Sequence, residues 1–177
     1  MNASKHTGAT PLYIAAYNGH IDVVKLLLEN SADANASRYT GATPLHAAAQ
    51  EGQTEIVKCL VDSGSGVNAS TADGSTPLYA AASSGHTNVV KLLLDNNADV
   101  NASRTDDGST PLHIAAQEGH TEVVKLLLDH NADVDASTDD GATPLYAAAY
   151  SGHTKIVKLL LDNDADDSST PLHMLLL

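Results

Sequence analysis

The sequence has no tryptophan, no phenylalanine and a single cysteine. Six tyrosines are its only aromatic residues, so its hydrophobic content of 42% comes mainly from alanine, valine, isoleucine and leucine. A core without large aromatic side chains predicts thin, regular layers of packed elements. A hydrophobic content of 42% with 18% charged residues is typical of a folded protein and argues against intrinsic disorder.

Basic residues are also scarce, since 9 Lys and Arg stand against 22 Asp and Glu and the formal net charge is −13. A field of this sign repels nucleic acid phosphates and anionic lipid head groups. The apolar runs, such as residues 92–94 behind Lys91, are far too short to span a bilayer. We therefore expect neither a nucleic acid nor a membrane as partner.

The one cysteine, Cys59, cannot close a disulfide within the chain, and residues 1–4 show no signal-peptide pattern. Both observations favour a reducing compartment, so we expect an intracellular, cytoplasmic protein. Asn-Ala-Ser tripeptides begin at Asn2, Asn35, Asn68 and Asn101. They match the N-glycosylation pattern, but outside a secretory route they are more simply copies of one repeated segment.

The tripeptide Thr-Pro-Leu recurs along the chain with spacings of 33, 33, 34, 33 and 27 residues. A branched apolar segment such as residues 23–27 follows each of the first five copies at a fixed offset. This self-similarity predicts one repeat domain over residues 1–177. Its units are 5–37, 38–70, 71–103, 104–137, a fifth unit with a shortened hairpin at 138–167, and a partial sixth at 168–177.

Each unit contains the signals for two helices. Threonine at an N-cap and proline at the first helical position start a short helix, which should stop at Gly19 and its counterparts. Apolar residues at 23, 24, 27 and 28 form one stripe of a second helix. The polar segment that follows is rich in turn formers and closes at Gly41, which predicts a hairpin-like loop.

Residues 107–116, with the sequence Asp-Gly-Ser-Thr-Pro-Leu-His-Ile-Ala-Ala, are followed by Gly119-His120 and Ala132-Asp133-Val134. This pattern resembles the ankyrin repeat, and the resemblance covers nearly the whole chain. It implies an all-α solenoid of helix-turn-helix units joined by β-hairpin-like loops, in which each unit contacts only its neighbours. It also makes Asn35, Asn68 and Asn101 candidate substrates of asparagine hydroxylases.

Two departures from the family pattern are expected to affect the backbone. The position after the second helix, where the family prefers glycine, holds Ser31, Gly64, Asn97, Asn131 and Asp164. A left-handed conformation there should cost roughly 1 kcal/mol at the serine and at the aspartate. The spacing of 27 leaves no room for a full sixth hairpin, so residues 163–169 should form a short turn.

The units also alternate. The residue after Thr-Pro-Leu is in turn Tyr13, His46, Tyr79, His113, Tyr146 and His173, which indicates the duplication of a two-unit block. Alternation places the histidines of this column two helix spacings apart, too far to share a metal ion. The Gly-His column, formed by His20, His86, His120 and His153 with Gln53 between them, is interpreted as hydrogen bonding between units.

No catalytic set is visible. The loop carboxylates, such as Asp73, are expected to be ordinary solvated groups, whereas acid/base catalysis needs a perturbed environment. Cys59 replaces a core leucine, and there is neither a nucleophile elbow nor a phosphate-binding glycine loop. A column of lysines, each with an acid four residues later as in Lys25 and Glu29, is expected to form weak solvated pairs on the convex side. We therefore predict no enzymatic activity, no cofactor and no metal.

Binding to another protein needs only a rigid, varied surface. The resemblance implies that partners contact the hairpin tips and the exposed positions of the first helices. The tip positions are His6, Thr7, Tyr39, Thr40, Ala72, Asp73, Asp106, Asp107, Asp139 and Asp140, and the helix positions are Tyr17, Asn18, Gln50, Glu51, Ser83, Ser84, Gln117, Glu118, Tyr150 and Ser151. Tyr17, Tyr39 and Tyr150 are the expected anchors. The acidic tips favour a partner with basic patches.

Three functions are compatible with these features. The first is a non-catalytic, mostly monomeric scaffold that binds a partner protein on its concave face. The second is a targeting or structural segment of a larger enzyme, channel or adaptor. The third is self-association through the apolar residues Met174, Leu175, Leu176 and Leu177.

The third hypothesis has a direct test in solution. Light scattering at high concentration should report a dimer that disappears when residues 174–177 are deleted, since the deletion removes the apolar surface that would pair. A strictly monomeric mass of the intact chain would eliminate this hypothesis.

Overall fold

A computed structural model describes residues 8–168, and in this range the chain forms ten helices and no strand. The helices alternate between a first and a second helix of each unit. They are α1 Pro11–Tyr17, α2 Ile21–Glu29, α3 Pro44–Gln50, α4 Thr54–Asp62, α5 Pro77–Ser83, α6 Thr87–Asp95, α7 Pro111–Glu118, α8 Thr121–Asp129, α9 Pro144–Tyr150 and α10 Thr154–Leu161. Helix content and order agree with the predicted all-α repeat. None of the described helices has the length and hydropathy to cross a membrane.

The first helices begin and end where the local sequence predicts. In α1 the hydroxyl of Thr10 accepts a hydrogen bond from the backbone N–H of Tyr13 at 3.2 Å, and Pro11 occupies the first helical position. The chain leaves the helix through Gly19, whose φ is +75°. A left-handed residue at this position costs glycine little, so the turn to the next helix is tight.

The core lies between the row of first helices and the row of second helices. Small residues such as Ala48 and Ala81 are fully buried on the first helices, while Val57 and Leu60 are fully buried on a second helix. Because alanine is small, neighbouring first helices pack closely. Neighbouring second helices carry larger side chains and lie farther apart. The stack therefore curves with its first helices and loops on the concave side.

The predicted apolar stripe of the second helix is present in α2, but one of its residues is exposed. Val24 is buried, but Val23 is 46% exposed, whereas its counterpart Ile56 in α4 is 2% exposed. This position packs against the preceding unit, and no described helix pair precedes α1. Burial of the stripe is thus a property of neighbouring units and not of the helix alone.

The loops between units form tight turns that are joined into a ribbon. In the second unit the N–H of Arg38 donates to the carbonyl of Ala42 at 2.9 Å. Neighbouring loops are linked by bonds such as that from the Ala72 N–H to the Thr40 carbonyl, also 2.9 Å. The hairpin-like loops predicted from the sequence are therefore present, although the described residues contain no strand.

The Asn-Ala-Ser copies have a structural role in this ribbon. The side-chain oxygen of Asn35 accepts from the N–H of Gly66 at 2.8 Å, and that of Asn68 accepts from the N–H of Asp99 at 2.8 Å. Asn101 makes the same bond to Asp133 at 2.9 Å. Each asparagine thus connects its loop to the equivalent loop of the next unit.

The last described residues follow the path on which the earlier loops begin, and the short turn predicted at 163–169 extends beyond them. After α10 ends at Leu161, the N–H of Ala165 donates to the carbonyl of Leu160 at 3.1 Å. The N–H of Asp166 donates to the side chain of Asp135 at 2.8 Å. Ser169 and the partial sixth unit lie outside the described residues.

Left-handed residues follow the second helices, as predicted. Gly64 has a φ of +83°, and the other four counterparts have φ values of +62° or +63° although they carry side chains. They are Ser31, Asn97, Asn131 and Asp164. Asparagine tolerates this conformation best among them, which leaves the serine and the aspartate as the strained members.

Replacing Ser31 with glycine should therefore stabilise the protein. Relief of roughly 1–2 kcal/mol of left-handed strain is partly offset by about 0.4–1 kcal/mol of extra freedom in the unfolded chain. The free energy of unfolding, measured in urea, should rise by about 0.5–1 kcal/mol. Gly64→Ala is the matched control, because no atom lies within 4 Å of the added methyl group and only the backbone is tested. It should lower the same quantity, and a gain in both variants would contradict the assignment.

Candidate functional site

The concave side contains a groove of about 650 Å³ between α3, α5 and the loops that precede them. We call it the central groove. Seven of its lining residues are predicted contact positions, namely Tyr39, Thr40, Gln50, Ala72, Asp73, Ser83 and Ser84. Side chains from two loops and two helices thus meet around one space.

Two further grooves continue the concave side in opposite directions. The end groove, about 360 Å³, lies between the first two units and is lined by Ala9, Tyr13, Ile14, Tyr17, Arg38 and Gln50. The acidic groove, about 430 Å³, lies over α7 and α9 and is lined mainly by Asp106, Asp107, His113, Gln117, Asp139 and Asp140. The three grooves follow the axis of the stack.

The remaining predicted positions line none of these three grooves. Tyr150 is 82% exposed and its ring stacks on that of Tyr146 at 6.1 Å between centroids. Asn18 uses its side-chain amide to donate to the carbonyl of Ile14 at 2.8 Å. Glu51, Glu118 and Ser151 are exposed at the ends of first helices. His6 and Thr7 lie outside the described residues.

Contacts between units fix the ends of the first helices. Nε2 of His86 donates to the carbonyl of Gln50 at 3.0 Å, and His120 reaches the carbonyl of Ser83 at the same distance. His153 does so to Gln117 at 2.9 Å, so the interpretation of the Gly-His column as hydrogen bonding between units is confirmed for these three residues. The bonds position the backbone of residues that line the central and acidic grooves.

Each of these histidines also requires glycine at the end of the first helix in the unit before it. A Cβ atom on Gly85 would lie 2.6 Å from Nδ1 of His120, and one on Gly52 would lie 2.6 Å from Nδ1 of His86. Both glycines also have a φ of about +70°. Gly52 and Gly85 therefore each end a first helix and leave room for the histidine of the next unit.

His46 and His113 are buried and belong to the floors of two grooves. Nδ1 of His46 accepts from the N–H of Thr43 at 3.1 Å, and Nε2 donates to the carbonyl of Ser75 at 3.0 Å. His113 makes the equivalent bonds to Thr110 and Ala142. Burial lowers the pKa of both imidazoles because the charged form would lose its solvation, and this outweighs the opposite effect of the bonds to the two carbonyls.

Arg104 was not predicted, and it changes the description of three acidic positions. Its guanidinium contacts Asp73 at 2.9 Å, Asp107 at 3.3 Å and Asp106 at 3.4 Å, and it lies over the ring of Tyr79 at 5.6 Å. The expectation that the loop carboxylates are ordinary solvated groups is therefore wrong for Asp73, the member of this cluster whose pKa is lowered. Carboxylates from two neighbouring loops thus lie around the guanidinium of Arg104.

Among the three carboxylates around Arg104, Asp73 is the one whose pKa changes. A hydrogen bond from the Thr71 hydroxyl lowers the pKa of Asp73, and the N–H of Ser75 and the charge of Arg104 act in the same direction. The sequence did contain a signal for this cluster. Tyr13 and Tyr79 are each followed 25 residues later by an arginine, Arg38 and Arg104, in the same two-unit alternation.

The other charged positions behave more simply. Of the five predicted lysine-acid pairs on the second helices, the described residues bring one within ion-pair distance, Lys91 and Asp95 at 2.8 Å, and both side chains are exposed. Cys59 is half-buried, and burial raises the pKa of its thiol. In residues 8–168 no three histidine, cysteine or acidic side chains are placed to hold a metal ion.

Comparison with known families gives one result. A family model described as "Ankyrin repeats (3 copies)" matches the chain in four overlapping stretches, residues 1–71, 33–104, 64–138 and 132–175. No curated protein is similar enough to the chain to be matched with it.

The two buried histidines predict how stability depends on pH. Because their pKa values lie below the ordinary value of 6.5, the unfolded chain takes up protons before the folded one does. The contribution of these two residues to the free energy of unfolding should be constant above about pH 7.5 and should fall as the pH drops below about 6.5, by at most about 2.7 kcal/mol per pH unit for two protons.

Urea unfolding between pH 7.5 and pH 5 measures this slope. The double variant His46→Gln, His113→Gln should be less stable at pH 7.5 because hydrogen bonds between units are lost. Its slope over the same range should nevertheless be smaller than that of the unmodified protein. Identical slopes would show that other groups cause the pH dependence.

Proposed function

Because the chain belongs to the ankyrin-repeat family, we propose that it is a non-catalytic scaffold that binds a partner protein on its concave face. Ankyrin repeats are in general protein–protein interaction modules, and the fold is typically non-catalytic. The central groove carries this proposal, since it brings the predicted positions of two loops and two helices together around about 650 Å³ of open space.

The walls of the central groove suit protein recognition. Tyr39 is 79% exposed at the tip of its loop, so most of its ring is available to a partner. Tyrosine offers a large contact area at a low cost in conformational entropy. The helix positions opposite it are held by the bonds from His86 and His120, which reduces the cost of ordering the surface on binding.

The electrostatics support a partner with basic groups over the acidic groove. Asp139 and Asp140 line this groove together with Asp106 and Asp107, so four carboxylates face one space. Complementary charge speeds association and selects the orientation of the partner. A basic segment of the partner is thus proposed to contact α7, α9 and their loops.

The absence of catalysis is proposed on the direction of the pKa shifts. The described carboxylates whose pKa is clearly shifted, Asp73 and Asp166, are shifted downward by hydrogen bonds from serine or threonine. A general acid at neutral pH requires a shift upward, caused by burial or by a like charge. The two carboxylates are better suited to hold loop structure.

A matched pair of variants tests the binding face. Tyr39→Ala, Gln50→Ala and Ser83→Arg are combined in one variant to remove contacts and fill the central groove. Lys58→Ala, Lys91→Ala and Lys125→Ala form the control on the second helices. A partner captured by the unmodified protein should bind the first variant at least about tenfold more weakly and the control with little change, measured by calorimetry.

Thermal unfolding of both variants shows whether each one is folded. If the groove variant is folded and binds with unchanged affinity, the proposed face is wrong. An equal loss in both variants would instead place the contact outside the concave side.

A further inference from the structure

The duplicated block places two arginines in equivalent surroundings, and in the described part of the chain only one of them forms ion pairs with carboxylates. Arg38 and Arg104 both follow a unit that has tyrosine after Thr-Pro-Leu, and both guanidinium groups lie over that tyrosine ring, at 5.1 Å for Tyr13 and 5.6 Å for Tyr79. In both arginines Nε is buried without a hydrogen-bond partner in the structure. A half-buried guanidinium of this kind is stabilised by nearby negative charge.

Arg104 shows which chemical group fits this position. Its two terminal nitrogens contact Asp73, Asp106 and Asp107 at distances between 2.9 and 3.4 Å. Arginine presents a planar fork of donors that matches carboxylate oxygens. The chain itself thus supplies carboxylates at one of the two copies.

At Arg38 all three carboxylates are missing. Thr40 precedes Gly41 in the place where Asp107 precedes Gly108, and Thr7 precedes Gly8 where Asp73 precedes Gly74. Asp106 belongs to the one-residue insertion that produces the spacing of 34, and it has no counterpart in the loop of Arg38. The position equivalent to the paired cation is therefore left without an acid in its own loops.

No acid elsewhere in the chain replaces them. Among residues 8–168 no carboxylate lies within ion-pair distance of Arg38. Residues 1–7 and 169–177 contain no aspartate or glutamate. Arg38 therefore lacks a side-chain counter-charge from its own chain.

The guanidinium of Arg38 is also oriented and accessible from a groove. Nη1 donates to the Tyr13 hydroxyl at 3.2 Å, which together with the ring contact fixes the side chain. Arg38 lines the end groove beside Ile14 and Tyr17, each 44% exposed. An oriented cation next to an apolar wall can take a carboxylate whose neighbouring residue is apolar.

We propose that the end groove binds an acidic side chain of the partner protein, with the carboxylate on Arg38 and an adjacent apolar residue against Ile14 and Tyr17. This inference rests on the proposed concave binding face. With this site, the two ends of the face would prefer opposite charges. The end groove would bind acidic residues of the partner, and the acidic groove would bind basic ones. A partner segment lying along the face would thereby bind in one direction only.

Two capped dipeptides test the site on the full chain by NMR. One contains leucine and glutamate. The other contains leucine and glutamine, and it is the control that has the same shape without the negative charge. The glutamate dipeptide should shift the side-chain Nε–H signal of Arg38 in a saturable way and bind about tenfold more tightly than the glutamine dipeptide. The Nε–H signal of Arg104 is the internal control and should move little, because its carboxylates are already in place.

Thr40→Asp is the variant that separates charge from packing. In the loops of equal length, the hydroxyls of Thr71 and Thr138 donate to Asp73 and Asp140, two residues later. An aspartate at position 40 should therefore reach Arg38, preserve its contact with Tyr13 and abolish the preference for glutamate. Arg38→Gln should abolish it as well, and thermal unfolding reports whether that variant is folded.

Three outcomes would overturn the inference. They are equal binding of the two dipeptides, the absence of a saturable shift at Arg38, and a glutamate preference that survives Thr40→Asp. None of them bears on the groove variants of the proposed function, whose partner binding is measured separately. A partner that depends on Tyr39 and Ser83 but binds without any carboxylate at Arg38 would leave the scaffold function standing and remove this site.

Discussion

The contact between one unit and the next is the constraint on which the rest of the structure depends. The first described helix pair leaves Val23 and Leu26 exposed, while the later pairs bury the equivalents of Val23, which are at most 2% exposed. The contact is fixed at three levels. Alanines such as Ala81 let the first helices meet, His86 bonds to the carbonyl of Gln50 in the unit before it, and Asn68 connects the loops. Each unit is thus stable only as part of a stack.

The concave face follows from these contacts. The bonds that hold the stack together end on the carbonyls of Gln50, Ser83 and Gln117, so the side chains of these residues project from a fixed backbone. The loop ribbon forms the opposite wall of the grooves. A surface assembled in this way loses little conformational freedom when a partner binds, which suits a recognition role better than a flexible loop would.

Because the units alternate, the charge differs from one end of the concave face to the other. His46 and His113 each bond to a carbonyl of the following loop, whereas Tyr13 and Tyr79 each contact an arginine of that loop. The carboxylates are unevenly distributed over the two arginines, so the net charge of −13 does not describe the face as a whole. A cation without a counter-charge lies at one end and four aspartates line a groove at the other.

The sequence by itself determined the helix pairs, the left-handed positions and the column of histidines between units, because caps, glycines and apolar spacing act within a few residues. It also indicated Tyr39, Gln50 and Ser83 as surface positions. Only the tertiary structure decided that Asp73 forms an ion pair with Arg104, and that Arg38 bonds to Tyr13 but pairs with no carboxylate of the described residues. Those contacts join residues 25 to 31 positions apart. Their geometry depends on how two loops lie side by side, which no local pattern specifies.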